Sequence, residues 1–259
     1  MLKTVTATRY VTPLREGGSL PAIMETDSGE TYVVKFSGAG QGVKALIADI
    51  IGGEIARRLG LNVPELALVE MDAQLARGES HEEIRDLLEA SVGINLGLRY
   101  LPNALNFDPL IDPPDAELAS LIVWLDAYIT NVDRTPRNVN MLVWEKALWL
   151  IDHGAALYFH HMWDGYLARS QSPFAQIKDH VLLPFAHALP AADVAARARL
   201  TEDALAQVVA LIPDIWLGNE EQFADDPAAH RAGYMAYLTN RLASDQFVQE
   251  AIKAHDALG

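Results

Sequence analysis

The chain has 259 residues, half of them hydrophobic and about a fifth charged, with a net charge of −15 and no cysteine. Its length and apolar content predict a folded protein with a substantial core rather than a disordered chain. The acidic balance argues against a nucleic-acid backbone or anionic lipid as partner, and the missing cysteine excludes disulfides, thiolate metal sites and a cysteine nucleophile. The N-terminus, MLKTVTATRYVTPL, lacks a continuous apolar stretch of the signal-peptide kind. No apolar run reaches the roughly 18 to 20 residues that span a bilayer. The expectation is a soluble, cytoplasmic protein.

Residues 4–12 and 20–26 are short β-compatible runs separated by Arg15-Glu16-Gly17-Gly18-Ser19. A Gly pair between strands can bring backbone amides close to a phosphate, and it serves equally as an ordinary hairpin turn. The next strand, Thr31–Phe36, reads TYVVKF and sets Lys35 among apolar neighbours. The bland reading is an edge-strand Lys snorkelling to solvent. With the motifs downstream, the favoured reading is a ligand of the α- and β-phosphates of a nucleotide. SGAGQG, residues 37–42, is a turn whose spacing does not fit a dinucleotide fingerprint.

Residues 43–59 predict a helix with Ala45, Ile47, Ile50, Ile51, Ile55 and Leu59 apolar, stopped by Gly60. Gly52-Gly53 within it costs about 1 kcal/mol each relative to Ala and points to close packing. Asp49 and Glu54 on this helix are candidates to pair with Lys35, or are solvated surface charges. Pro64–Met71 predicts a strand, and Ser80-His81-Glu82-Glu83 a capping box opening a helix to Ala90. The strip Leu96–Asn103, LGLRYLPN, marks a boundary between two lobes, residues 1–103 and 104–259.

Residues 115–131 predict a core helix, with Leu118, Leu121, Ile122, Leu125, Tyr128 and Ile129 on one stripe. It runs directly into TNVDRTPRNVNMLVWEKALWLIDHGAALY, Thr130–Tyr158. Asp133 and Asn138 stand in a D-x4-N spacing. Two apolar runs, Val139–Trp144 and Leu148–Ile151, flank a turn at Glu145-Lys146, and Asp152 follows in a D-x-G. That order is the grammar of an ATP-dependent phosphotransferase. In kinases a loop Asp orients the acceptor hydroxyl, while an Asn and a second Asp hold the magnesium ions that bridge the phosphates. Gly154 is expected to let the backbone turn away beside the metal. Singly, Asp133 and Asn138 read as turn and cap residues. An ionised Asp152 directly after LWLI needs a partner.

Further on, Thr201–Ile212 and Pro227–Ala254 predict amphipathic helices, with Asp214–Asp226 an acidic loop between them. His153, His160 and His161 raise a rival, a histidine metal site. Adjacent His160 and His161 on a strand would point to opposite faces and not chelate together. A Ser-His-Asp hydrolase lacks its G-x-S-x-G elbow.

With these residues in hand, the chain resembles the HipA-like kinases, bacterial relatives of the protein kinase and phosphatidylinositol kinase folds. The resemblance rests on the Gly-Gly loop, YVVKF, the helix ending in ARRLGLNVPE, LRYLP, NVDRTPRN and WLIDHGAALYFHH, in that order to about Trp163. It implies an α+β, two-lobed protein-kinase-like fold, with a small β-rich N-lobe carrying one main helix and a larger, mostly helical C-lobe. It implies that Lys35 binds phosphates with Gly17, Gly18 and Ser19, that Asp49, ahead of Glu54, is the helix acid, and that Arg99, Tyr100 and Leu101 form the adenine hinge. Asp133 would be the catalytic base, and Asn138 and Asp152 the ligands of Mg²⁺ in an ATP complex. Ser19 is then a candidate for autophosphorylation. Arg134, directly after the acid, is similar to the D-R loop of phosphatidylinositol kinases. The chain is expected to lack the N-terminal region of longer family members, so toxin activity and a DNA-bound antitoxin partner are not carried over. The main functional expectation is a protein Ser/Thr kinase, with no nucleic-acid or membrane partner. A small-molecule or lipid-type kinase is the alternative, and a nucleotide-binding pseudokinase scaffold is disfavoured by the intact Lys35, Asp133, Asn138 and Asp152.

Overall fold

The computed structural model describes residues 1–14 and 20–259, so Gly17, Gly18 and Ser19 lie outside the described residues. The chain begins with β1 (Lys3–Pro13), β2 (Ala22–Thr26), β3 (Thr31–Lys35), α1 (Gly42–Arg58), β4 (Leu66–Met71), α2 (Glu82–Ala90) and β5 (Gly93–Arg99). It continues with β6 (Leu105–Asn106), α3 (Ala116–Ile129), β7 (Met141–Trp144), β8 (Ala147–Leu150) and α4 (Tyr166–Ser170). Helices α5 (Leu189–Arg199), α6 (Glu202–Val209), α7 (Pro227–Leu242) and α8 (Gln246–Asp256) complete it. The fold is mixed α+β, β-rich in its N-terminal part and helical in its C-terminal part. Two compact units share the chain: Met1–Ile47 with Pro64–Asn103, and Ala48–Val63 with Ala104–Gly259. No helix among the described residues is long and apolar enough to cross a membrane.

In the first unit five strands close a barrel in the order β1-β2-β3-β5-β4. All neighbours are antiparallel except β1 and β4, which run parallel. The period-2 alternation of β2, β3 and β4 turns Ala22, Met24, Tyr32, Val34, Ala67, Val69 and Met71 into one core. Gly97 on β5 is required by that packing. A Cβ there would lie 2.6 Å from Val69 Cγ2 and 3.1 Å from the Tyr32 ring. The expected capping box before α2 does not form: the helix starts at Glu82, with His81 as a cap that makes no side-chain bond. Glu79 folds back instead to accept the His81 N–H at 2.8 Å.

The helix expected over 43–59 is α1, whose first turns belong to the first unit and whose remainder, from Ala48, belongs to the second. Gly60 ends it with φ +87°, as the C′ residue of a Schellman motif. The Gly60 N–H reaches Arg57 O and the Leu61 N–H reaches Ala56 O, both at 3.0 Å.

The second unit is built on α3, which is buried almost all round. Trp124 stacks on Tyr128 with centroids 5.2 Å apart and meets the edge of Phe247 at 5.3 Å. The guanidinium of Arg241, fully buried, donates to the carbonyls of Ala127, Tyr128, Ser170 and Ser172. One long helix from Pro227 to Ala254 is not what forms: the chain breaks between α7 and α8 at residues 243–245. Arg197 of α5 occupies the break, donating to the carbonyls of Leu242 and Ser244 and to the Asp245 carboxylate. Those bonds satisfy C-terminal carbonyls that a continuous helix would have kept for itself. The predicted hairpin does form, as β7 and β8 joined at Glu145 and Lys146. Both turn residues have positive φ (50° and 64°), the pair of left-handed residues that matches the right-handed twist of the strands.

Candidate active site

In the first unit, Lys35 ends β3 and pairs with Leu96 of β5. Since β3 lies between β2 and β5 and Lys35 is only 8% exposed, the edge-strand, snorkelling reading of this residue is wrong. The turn after it is held from β5 and the end of α2. Asn95 Oδ1 accepts the Ser37 N–H at 2.8 Å, and Ser91 Oγ accepts the Gly38 N–H at 3.2 Å. Arg99 forms ion pairs with Glu30 and Glu65 at 3.5 and 3.7 Å. Tyr100 donates its N–H to Thr31 O at 2.9 Å, and Leu101 is buried.

The second unit gathers Asp49, Asp133, Asn138, Asp152, His153 and Gly154. Asp49 and Glu54, the two candidates for the helix acid with Asp49 the favoured one, are in different surroundings. Glu54 is engaged along its own helix by Arg57 and Arg58, at 3.2 and 3.5 Å. Asp49 is buried and its Oδ1 accepts the His153 N–H at 2.7 Å, so it holds the D-H-G turn. Gly52, one turn along α1, is the glycine of the pair that packing requires: a Cβ there would sit 2.7 Å from His153 Cβ and 3.1 Å from Ile129. The turn itself uses Asp152, not Gly154, as its left-handed residue (φ +54°), and the Gly154 N–H bonds back to Asp152 Oδ1 at 3.3 Å. An Asp tolerates this conformation because its side chain bonds the backbone two residues on.

Asp133 is half-buried in the loop that follows α3. Its Oδ2 accepts Asn138 Nδ2 at 2.7 Å and Asn140 Nδ2 at 3.3 Å. Burial raises its pKa, opposed by the Asn140 amide; the nearby Asp152 carboxylate then raises it further, against Asn138 and Arg134. Thus the acid and amide of D-x4-N are brought together by a direct bond, and the acid of D-x-G lies close enough to be felt as charge. Asn138 is exposed and spends its amide N–H on Asp133, which leaves the amide oxygen as the atom suited to a cation.

Three residues of this site were given no role from the sequence. Asn140 supplies a second amide to Asp133, and its φ of +51° is one that Asn adopts readily. Asn131 accepts the Asp133 N–H at 3.1 Å and donates to the buried Asp126 at 3.0 Å. Asp126 also binds Arg134 Nε at 2.5 Å and His180 Nε2 at 2.9 Å. Burial alone would raise the Asp126 carboxyl, but Arg134 and His180 hold it well below the usual carboxylate range. The signal was there for Asp126, an acid inside the apolar run LIVWLDAYI; burying it requires partners.

The histidines of the segment after the turn lie on a 3-10 turn, Tyr158–His161, and not on a strand. His160 is buried with Nδ1 3.0 Å from Tyr234 Oη, while His161 is exposed. Among the described residues no group of three or more His, Asp or Glu is arranged to hold a metal ion. The two carboxylates and one amide of Asp133, Asp152 and Asn138 are a different donor set.

Comparison with known proteins bears on the whole chain. A search of functionally curated proteins finds no match. Among solved structures the chain is similar to the crystal structure of a Helicobacter pylori proinflammatory kinase, CtkA. The TM-score is 0.59 over 100% of this chain and 99% of that one, at 14% identity, so the two share a fold. The profile described as HipA-like kinase matches residues 8–251, nearly the full length, and the chain therefore belongs to the HipA-like kinase family and is a kinase.

Proposed function

We propose that this kinase transfers the γ-phosphoryl group of Mg-ATP to a Ser or Thr hydroxyl of a protein, with Asp133 as the base. The observation that carries the reading is the grouping of Asp133, Asn138 and the Asp152 charge in one unit. In this reading residues 1–103 are the nucleotide-phosphate lobe of a two-lobed kinase and residues 104–259 the catalytic lobe.

The acceptor oxygen attacks the γ-phosphorus in line as the bond to the β,γ-bridging oxygen breaks, and ADP leaves. Asp133 accepts the hydroxyl proton and aligns the nucleophile, and its amide contacts fix the carboxylate plane. Lys35 neutralises charge on the α- and β-phosphates, and Arg99–Leu101 receive the adenine edge. Asn138 and Asp152 offer the oxygen donors that Mg²⁺ prefers. The like charges of Asp133 and Asp152 support a cation near them, since one would relieve the repulsion that raises Asp133. Bound there, Mg²⁺ supplies charge neutralisation for the transferring phosphoryl group.

The test is transfer from γ-labelled ATP to a panel of proteins and small hydroxyl compounds, with and without chelator. We expect label on protein acceptors, loss with chelator, and a drop of about 10²–10⁴-fold in Asp133→Ala, the range for removing a positioned base. Asp152→Asn should lose transfer too. Label only on a small molecule moves the acceptor to the alternative class, and ATP binding without transfer at any metal favours a scaffold.

A further inference from the structure

The loop that carries Asp133 is anchored by a group outside any kinase motif. Asp126, in the last turn of α3, offers one oxygen to Asn131 Nδ2 and the other to Arg134 Nε and His180 Nε2. Asn131 passes the connection on by accepting the Asp133 N–H. Arg134 passes it the other way. Its Nη1 donates to Asn140 O at 2.5 Å and lies 3.4 Å from Ile151 O, at the entry to β7 and just before Asp152. One buried carboxylate is therefore two bonds from the backbone of Asp133 and two from the residue preceding Asp152.

The bond between Asp126 and Arg134 is a single one. The guanidinium engages through Nε, and among the described residues its buried Nη2 makes no hydrogen bond. A bidentate fork would hold both oxygens from one planar group; here Arg134 Nε holds one oxygen and the Asn131 amide the other, so the carboxylate plane depends on separate donors. His180 adds a second donor to the Arg134-bound oxygen, from 54 residues downstream. Its Nδ1 accepts the Leu182 N–H at 3.0 Å, so the neutral ring carries its proton on Nε2, facing Asp126. The charged groups around the ring are Asp126, which favours the imidazolium, and Arg134, which opposes it; burial dominates and lowers the His180 pKa below its ordinary value. His153 adds a longer-range influence on Asp126.

We propose that His180 is a positioning residue for phosphoryl transfer, its Nε2–H fixing the Asp126 carboxylate that sets Asp133 through Asn131 and the Asp152 turn through Arg134. This rests on the reading of Asp133 as the base. The histidine touches no reacting atom, and the segment 175–183 that carries it is joined to the loop again by the Val181 N–H to Arg134 O bond at 3.0 Å.

Two substitutions separate the two edges of the ring. His180→Asn can still accept the Leu182 N–H two residues on, as an Asx turn, but is too short to reach Asp126. His180→Gln returns an N–H donor near the Nε2 position and gives up the Leu182 contact. In His180→Asn we expect kcat to fall about 10- to 100-fold with little change in the KM for ATP, because orientation and not ground-state binding is lost. Amides 131–134 should exchange faster, and His180→Gln should recover most of both effects. Equal losses in the two variants, or native kcat and protection in a folded His180→Asn, would overturn the proposal. If the wild type transfers no phosphate, the exchange comparison still decides the anchoring while the catalytic reading fails separately. Imidazole ¹⁵N shifts of the unmodified protein give a check that needs no variant to fold: the Nε2–H tautomer is expected at His180, and the Nδ1–H tautomer overturns the geometry.

Discussion

Each unit of this kinase holds a motif-bearing loop by one fully buried polar side chain, and the two anchors differ in charge. In the first unit Asn95 holds the turn after Lys35. Its Oδ1 accepts the Ser37 N–H and Oγ at 2.8 and 3.1 Å, and its Nδ2 donates to Ser91 O and Gly93 O at 2.8 and 3.1 Å. Both donor hydrogens and both acceptor positions of the amide are used, with no formal charge buried. In the second unit Asp126 does the same task as an ion, balanced by Arg134 and steadied by His180. A neutral anchor suffices where the loop presents backbone amides and a hydroxyl. An ionised anchor makes stronger, more directional bonds and can orient a guanidinium, but every donor must be in place because an unpaired buried charge is costly.

Breaking the charged anchor should have the largest effect. Asp126→Ala leaves Arg134 buried without its counter-ion, and we expect a loss of about 3–5 kcal/mol in urea unfolding, a large share of a typical domain's 5–15 kcal/mol. The neutral anchor should cost less. Asn95→Leu strands the Ser37 N–H and the Ser91 and Gly93 carbonyls, each a group that other contacts or water can in part recover, and about 1–3 kcal/mol is expected. If the two losses are equal, or their order reverses, the contrast between the anchors fails.

Neither anchor was legible as an anchor, and the reason is physical. Asn95 reaches Ser37 across 58 positions, and His180 reaches Asp126 across 54, so no local period encodes either bond. What could be read was what chemistry or periodicity forces into fixed spacing: the D-x4-N and D-x-G acids, the hairpin between them, α1 with its Gly60 stop, and α3. Gly52 was legible as a packing glycine, though not its partner His153. Errors fell where a second side chain, near or far in sequence, competes with a local rule. Glu79 outcompeted the Ser80 box for the turn before α2, and Arg197, distant in sequence, stabilised a break in the C-terminal helix that periodicity had run through. The left-handed residue at the D-H-G turn was assigned to Gly by propensity, while the Asp152 side chain's own bond to Gly154 made the acid the better choice.

The smallest effect separates the anchors by pH. His180 has a folded pKa below its ordinary value of 6.5, chiefly through burial. Below about pH 6.5 the unfolded chain therefore binds more protons than the folded one, and stability falls as pH drops, by at most about 1.4 kcal/mol per pH unit for a single group. Asp126, also depressed, contributes stability that is present above its ordinary value of 3.8 and is lost as pH falls below it. The helical unit should thus weaken in two stages, the first of them absent in His180→Gln. Asn95 exchanges no proton and adds no such slope to the turn it holds. Amide exchange, corrected for its intrinsic pH dependence, reads both loops in one sample. Between pH 7 and 5 the protection of Asp133 should decline relative to that of Ser37 and Gly38, and a parallel decline at all three would mean that the titrating group is not the one beside Asp126.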